Sequence, residues 1–221
     1  MKVLGLDEAG RGPVIGSMVI AGVLISQENI TYLSSLGVRD SKLLSPNMRE
    51  KLVDKIRQIA DEIKIVEISP KEIDERFSLR KTLNVLEAEN MAKIIACLKP
   101  NVVYVDAADI KANRFTRTIK SFLPHSMKKI TIISEHKADR AYPVVSAASI
   151  IAKVRRDELI SRLKEIYGDF GSGYPSDKKT IKFLENYVKR YHKLPDCVRK
   201  TWLTARKIYE KYVLQKKTIV G

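Results

Sequence analysis

Val102-Val103-Tyr104-Val105-Asp106 is the stretch on which the fold turns. It is short, apolar and β-branched, and it ends in a carboxylate. Such a segment reads as a strand buried on both faces of an open α/β sheet, because helices covering both faces leave no place for polar alternation. A helix over residues 82–98 precedes it, with Leu83, Leu86, Met91, Ile94, Ile95 and Leu98 as its apolar positions, and stops before Pro100. Downstream, a helix over about residues 114–123 leads to a second strand at 130–134. The two strands are expected to pair in parallel around this helical crossover.

Working toward the N-terminus, residues 2–7 and 17–25 read as strands. Gly10, Gly12, Pro13 and Gly16 between them predict a hairpin. Ser45-Pro46 supplies an N-cap and a first-turn proline for a helix with Met48, Leu52, Ile56 and Ile59 on one face, and residues 62–69 alternate as a further strand. Toward the C-terminus, a long helix begins near Val144. Its apolar side holds Ala147, Ala148, Ile151, Val154, Leu159 and Leu163, and its small residues should let it pack close to the sheet. Residues 168–175 form a glycine-rich linker, and two basic helices are expected at 176–191 and from 196 to about 216. This gives a larger α/β domain over 1–167, the linker over 168–175 and a basic helical subdomain over 176–221.

The whole chain has 221 residues, 44% of them hydrophobic, which is enough for a continuous core and excludes a disordered chain. No apolar run approaches the roughly 20 residues of a membrane helix, and Asp7 and Glu8 interrupt what a secretory signal would need. Cys97 and Cys197 make no disulfide framework and lack metal-type spacing, so a reducing, cytoplasmic setting is expected. The 41 Lys+Arg against 26 Asp+Glu leave a net charge of +15, which points to nucleic acid as the partner class. A solvated basic surface is the bland alternative.

Four acids stand out by position: Asp7 at the end of the first strand, Glu8 after it, Asp106 closing the 102–106 strand, and Asp139 shortly after the next strand. Ligands of open α/β sheets gather at the carboxyl ends of strands, so these acids can converge there if their strands are parallel neighbours. Convergent carboxylates repel one another unless a cation sits among them, and a hard divalent ion takes oxygen ligands. Two such ions can activate a water and stabilise the leaving oxygen of a phosphodiester. The alternative is that each acid ends a strand or makes a surface pair. Asp7 and Glu8 face opposite sides of a strand and can share a site only where the backbone departs from it, which Gly10 would permit. Gly10-Arg11-Gly12 offers bare amides and a guanidinium suited to a phosphate, or else forms a plain turn. His125, His136 and His192 show no mutual ligand spacing, although His136 lies close to Asp139. No phosphate-binding Gly-x-x-x-x-Gly-Lys-Ser/Thr loop or Gly-x-Ser-x-Gly elbow is present.

Asp7-Glu8-Ala9-Gly10-Arg11-Gly12-Pro13, Asp40-Ser41-Lys42, Tyr104-Val105-Asp106, His136-Lys137-Ala138-Asp139, Ser146-Ala147-Ala148-Ser149-Ile150-Ile151-Ala152-Lys153 and Gly171-Ser172-Gly173-Tyr174-Pro175-Ser176-Asp177 together resemble ribonuclease HII, most closely its archaeal form. The resemblance implies an RNase H-like α/β fold, a mixed five-stranded sheet flanked by helices with a C-terminal helical extension. It implies an endoribonuclease that hydrolyses RNA paired with DNA and cuts 5′ of ribonucleotides embedded in duplex DNA, leaving 3′-hydroxyl and 5′-phosphate ends. Asp7, Glu8, Asp106 and Asp139 would be its catalytic acids, holding Mg²⁺ or Mn²⁺. The backbone of Gly10, Arg11 and Gly12, with Tyr174, would contact the ribose 2′-hydroxyl, and Lys42 and Lys153 are candidate phosphate contacts. Asp157 and Trp202 fit the pattern in supporting roles. A sliding clamp is a candidate partner, and a monomer is expected. Two rivals stay open: a DNA nuclease of the same fold, and a duplex-binding module without catalysis.

Overall fold

The computed structural model describes residues 1–38 and 45–214. Five strands form one mixed sheet in the order β3-β2-β1-β4-β5. They are β1 Lys2–Ala9, β2 Met18–Ser26, β3 Glu62–Ile68, β4 Val102–Asp106 and β5 Thr131–Glu135. The expected hairpin is present, with β1 and β2 antiparallel from Lys2↔Ser26 to Ala9↔Val19. The expected crossover is present too, with β4 parallel to β5 around helix Ala112–Phe122 and β1 parallel to β4.

The helices, in chain order, are α1 Ile30–Ser35, α2 Pro46–Ile59, α3 Pro70–Glu75, α4 Leu83–Leu98, α5 Ala112–Phe122, α6 Ala138–Ala141, α7 Pro143–Tyr167, α8 Lys178–Tyr191 and α9 Leu203–Tyr209. Their starts follow local chemistry. The Ser45 and Thr82 hydroxyls accept from Met48 and Val85 amides, and Ser69 and Glu72 form a reciprocal capping box at α3.

The described chain forms two compact units. The first holds Met1–Ala9, Val19–Glu67 and Lys81–Arg156, and so nearly all of the sheet. Its central strands are buried almost throughout, β2 up to its last residue. Successive side chains on β1 leave on opposite faces. A Cβ at Gly5 would meet the Val144 carbonyl oxygen of α7 at 2.2 Å, whereas one at Gly22, paired with Leu6, would meet Ile94 of α4 at 2.6 Å. α7 therefore lies against one face and α4 against the other. Every residue from Pro143 to Ala152 is buried, in keeping with the small residues that open α7.

The second unit holds Gly10–Met18, Ile68–Arg80 and the chain from Asp157 onward. Its core joins Val14, Ile15, Phe170, Leu184, Val188, Val198, Ala205 and Ile208. Phe170 sits in the glycine-rich segment yet is fully buried, and the Gly173 carbonyl accepts from the Val14 and Ile15 amides at 2.8 and 3.2 Å.

Three sequence expectations are corrected. β1 continues through Glu8 to Ala9, so Asp7 lies inside the strand, because β2 goes on pairing with it after β4 has stopped at Leu6↔Val105. Met48 is exposed, and only Leu52 and Ile56 of its face are buried. The helix expected from residue 196 begins at Leu203: Val198 instead bridges Ile15, and the Arg199 side chain turns into the interior. Cys97 is exposed while Cys197 is buried, with its thiol pushed up to about 12 by desolvation. A thiol reagent at neutral pH is accordingly expected to modify Cys97 in the native protein and to reach Cys197 only after denaturation, which mass spectrometry of the labelled chain would check.

Candidate active site

Parallel pairing of β1 with β4 decides where the acids meet. Gly5 pairs with Tyr104 and Leu6 with Val105, so the next residues, Asp7 and Asp106, lie side by side where the two strands part, on the face that carries α7. β5 brings in the third acid. After Glu135 the chain turns through Lys137, whose backbone is left-handed at φ 60°, into α6, where Asp139 is buried and the Ala138 amide donates to Asp106 Oδ1 at 3.3 Å. Asp7, Asp106 and Asp139 each present a carboxylate oxygen within 4.8 Å of the others.

The electrostatics of this group are costly in the absence of a counter-charge. Burial pushes the Asp7 carboxyl well above the ordinary carboxylate range, and the neighbouring charges of Glu8 and, less strongly, Asp106 push the same way. Ser149 on α7 and the Glu8 amide, which donates to Oδ1 at 2.8 Å, act in the opposite direction. The three acids that meet offer oxygen ligands and together carry negative charge, so they fit a hard divalent cation.

Glu8 is not one of the three whose carboxylate oxygens gather within 4.8 Å. It is part-buried, and its charge raises the Asp7 carboxyl more strongly than that of Asp106 does. His136 is exposed, with its Nε2 3.1 Å from the Ile110 carbonyl. Lys153 is half-buried on α7, and Lys42 lies outside the described residues.

In the second unit, Gly12 is exposed and the Tyr174 ring rests against it, 3.5 Å from where a Cβ would stand. The turn from Gly10 to Gly16 is held by Arg199, whose nitrogens reach the carbonyls of Gly16, Arg11 and Gly10, and by Trp202, whose indole N–H donates to the Gly12 carbonyl at 3.4 Å. Reading the sequence for chemistry missed Arg199 and Ser149. Arg199 looked like one more cation in a basic helix, and nothing in its neighbours signals burial. Ser149 falls within the 146–153 motif, but nothing in the sequence signals its bond to Asp7.

The model of the ribonuclease HII family matches residues 4–205. The chain belongs to the ribonuclease HII family. A ribonuclease HII from Pyrococcus furiosus is 54% identical over 212 residues, covering 95% of this chain and 92% of that protein. Among solved structures, the crystal structure of the ribonuclease H2 from Pyrococcus horikoshii superposes with a TM-score of 0.89 at 50% identity, covering 96% of this chain and 99% of the other. A structure of the PCNA:RNase HII complex from Archaeoglobus fulgidus gives 0.82 at 44%, covering 91% and 95%. The chain is thus an archaeal-type ribonuclease HII, an enzyme with ribonuclease H activity on RNA/DNA hybrids.

Proposed function

We propose that this ribonuclease cuts on the 5′ side of ribonucleotides, both in hybrids and singly embedded in duplex DNA, and leaves 3′-hydroxyl and 5′-phosphate ends. The observation that carries the reading is the meeting of Asp7, Asp106 and Asp139 within 4.8 Å, with the Asp7 carboxyl pushed toward protonation by burial and by the neighbouring carboxylates. These three would hold Mg²⁺ or Mn²⁺, with Glu8 as the fourth acid of the set. A bound divalent ion supplies charge neutralisation at the phosphodiester and a more acidic water. The chain's own part is to present the carboxylates without further rearrangement: Ser149 and the Glu8 amide fix the Asp7 carboxyl, and the Ala138 amide fixes that of Asp106.

Selection of ribose is assigned to Gly10, Arg11, Gly12 and Tyr174. The 2′-hydroxyl both donates and accepts, so backbone amides can bond its oxygen while a tyrosine hydroxyl pairs with it and the ring stacks on the neighbouring sugar. The contact of the Tyr174 ring with Gly12 supports their acting together. Lys153 and Lys42 are proposed phosphate contacts. The basic segment from residue 176, with exposed Lys178, Lys182, Lys189 and Arg190 on α8, is proposed to grip the duplex. The enzyme is proposed to work as a cytoplasmic monomer with a sliding clamp as partner, a reading supported by the Archaeoglobus fulgidus complex. Among the described residues no helix is long and apolar enough to cross a membrane.

The test is a labelled duplex with one embedded ribonucleotide, incubated with Mg²⁺, with Mn²⁺ and with chelator. Cleavage 5′ of the ribonucleotide in the presence of either ion is expected. Cutting of an all-DNA duplex would favour the DNA nuclease reading, and no turnover with either ion would favour the binding module. Tyr174→Ala should slow cleavage at the single ribonucleotide by about 10-fold or more, the equivalent of one hydrogen bond and part of a stacking contact. An unchanged single-turnover rate would remove Tyr174 from ribose recognition.

A further inference from the structure

Arg199 is fully buried, and its guanidinium is spent on backbone. Nε donates to the Gly16 carbonyl at 3.0 Å, one terminal nitrogen to the Arg11 carbonyl at 2.9 Å and the other to the Gly10 carbonyl at 2.5 Å. The guanidinium carbon also lies 5.0 Å from the centre of the Trp202 ring, and Trp202 in turn bonds the Gly12 carbonyl. A charge taken out of water is tolerated only when its donors are satisfied, so this fork and the carbonyls it holds constrain one another tightly.

The consequence lies on the other side of each peptide plane. In a trans peptide the C=O of one residue and the N–H of the next point in opposite directions. Drawing the Gly10 and Arg11 carbonyls onto Arg199 therefore turns the amides of Arg11 and Gly12 away from it. Those are amides of the turn to which ribose recognition is assigned above.

We infer that Arg199 is the positioning residue of the Gly10–Gly12 turn: it orients the Arg11 and Gly12 amides toward the ribose 2′-oxygen without touching substrate. The inference rests on that turn reading the ribose. The segment bearing Arg199 is itself anchored. The Asp74 carboxylate of α3 accepts from the Lys200 and Thr201 amides at 2.7 and 3.0 Å and from the Thr201 hydroxyl, and the Arg199 amide donates to the Val14 carbonyl at 2.9 Å. Lysine keeps the charge but not the planar fork and cannot span the same carbonyls.

The experiment measures single-turnover cleavage of two duplexes that differ only in the 2′-substituent of one nucleotide, hydroxyl in one and fluorine in the other. Fluorine accepts hydrogen bonds weakly and donates none. Wild type should prefer the hydroxyl strongly, and Arg199→Lys should reduce that preference by about 10-fold or more. Its melting-temperature shift on adding Mn²⁺ should stay at the wild-type value, because the acids are untouched. General destabilisation would lower both rates together and leave their ratio unchanged.

Trp202→Phe, which loses the bond to the Gly12 carbonyl and part of the ring beneath Arg199, should reduce the ratio about 3-fold and serves as the readout if Arg199→Lys does not fold. A folded variant that keeps the wild-type ratio overturns the role of Arg199. A wild-type enzyme indifferent to the substituent overturns the ribose-reading turn itself, and the two failures are thereby told apart.

Discussion

Asp7→Asn lowers cleavage of an RNA/DNA hybrid by about 1,000-fold or more, while the metal-free protein becomes harder to melt. The two effects have one cause. Burial and the charges of Glu8 and Asp106 hold the Asp7 carboxyl well above the range it has in the unfolded chain. Between the unfolded and folded values the native state binds the extra proton, so stability falls as pH rises through that window and stays low above it. Asparagine carries no such cost and can still accept from the Glu8 amide and from Ser149.

Wild type should therefore melt higher at mildly acidic than at neutral pH in chelator. Mg²⁺ or Mn²⁺ should raise its neutral-pH melting temperature, and by less as protons compete for the same oxygens. The variant should lose most of that metal response while retaining most hybrid binding at a fixed salt concentration. Wild-type rates from Asp7→Asn, or a wild-type melting point indifferent to both pH and divalent ions, would contradict the cation-holding role.

Gly5→Ala is expected to be the most damaging single methyl in the first unit. The added carbon would stand 2.2 Å from the Val144 carbonyl oxygen, 2.3 Å from its carbon and 2.6 Å from the Val145 nitrogen. All three are backbone atoms, so no rotamer change relieves the clash, and the start of α7 must lift away from β1. Overpacking of this kind costs about 3 kcal/mol, more where backbone has to move. Because Asp7 and its partner Ser149 ride on those two elements, activity should fall along with the denaturation midpoint. A variant with a wild-type midpoint would show that α7 and β1 are not in such close contact.

Much of the sheet was legible in the sequence because its signals are local. The apolar run before Asp106, the proline after α4 and the glycines after Ala9 each mark an element with their own residues, and the parallel pairing of β4 and β5 follows from the helix between them. Asp106 could be placed at a strand end, and Asp139 shortly beyond one, for the same reason. The extent of β1 was not legible, since β2 sustains the strand past Asp7, and that pairing depends on residues remote in sequence. The segment from 196 to 202 was misread for a related reason: its high content of Lys and Arg suits an exposed helix, but bonds to residues 10–16 and Asp74 dictate its path. Asp40, Ser41, Lys42 and the tail from residue 216 lie outside the described residues.

The bonds that secure the Gly10–Gly16 turn join residues 183 to 189 positions apart. Such long loops close slowly, and on a ribosome the second partner leaves the exit tunnel only near the end of translation. Nascent chains long enough to contain Asp7, Asp106 and Asp139 would thus carry every acid of the triad before the turn has its clamp. Chains that terminate prematurely upstream of Arg199 would never acquire it, and any that escaped proteolysis would retain metal ligands without the means to discriminate between sugars.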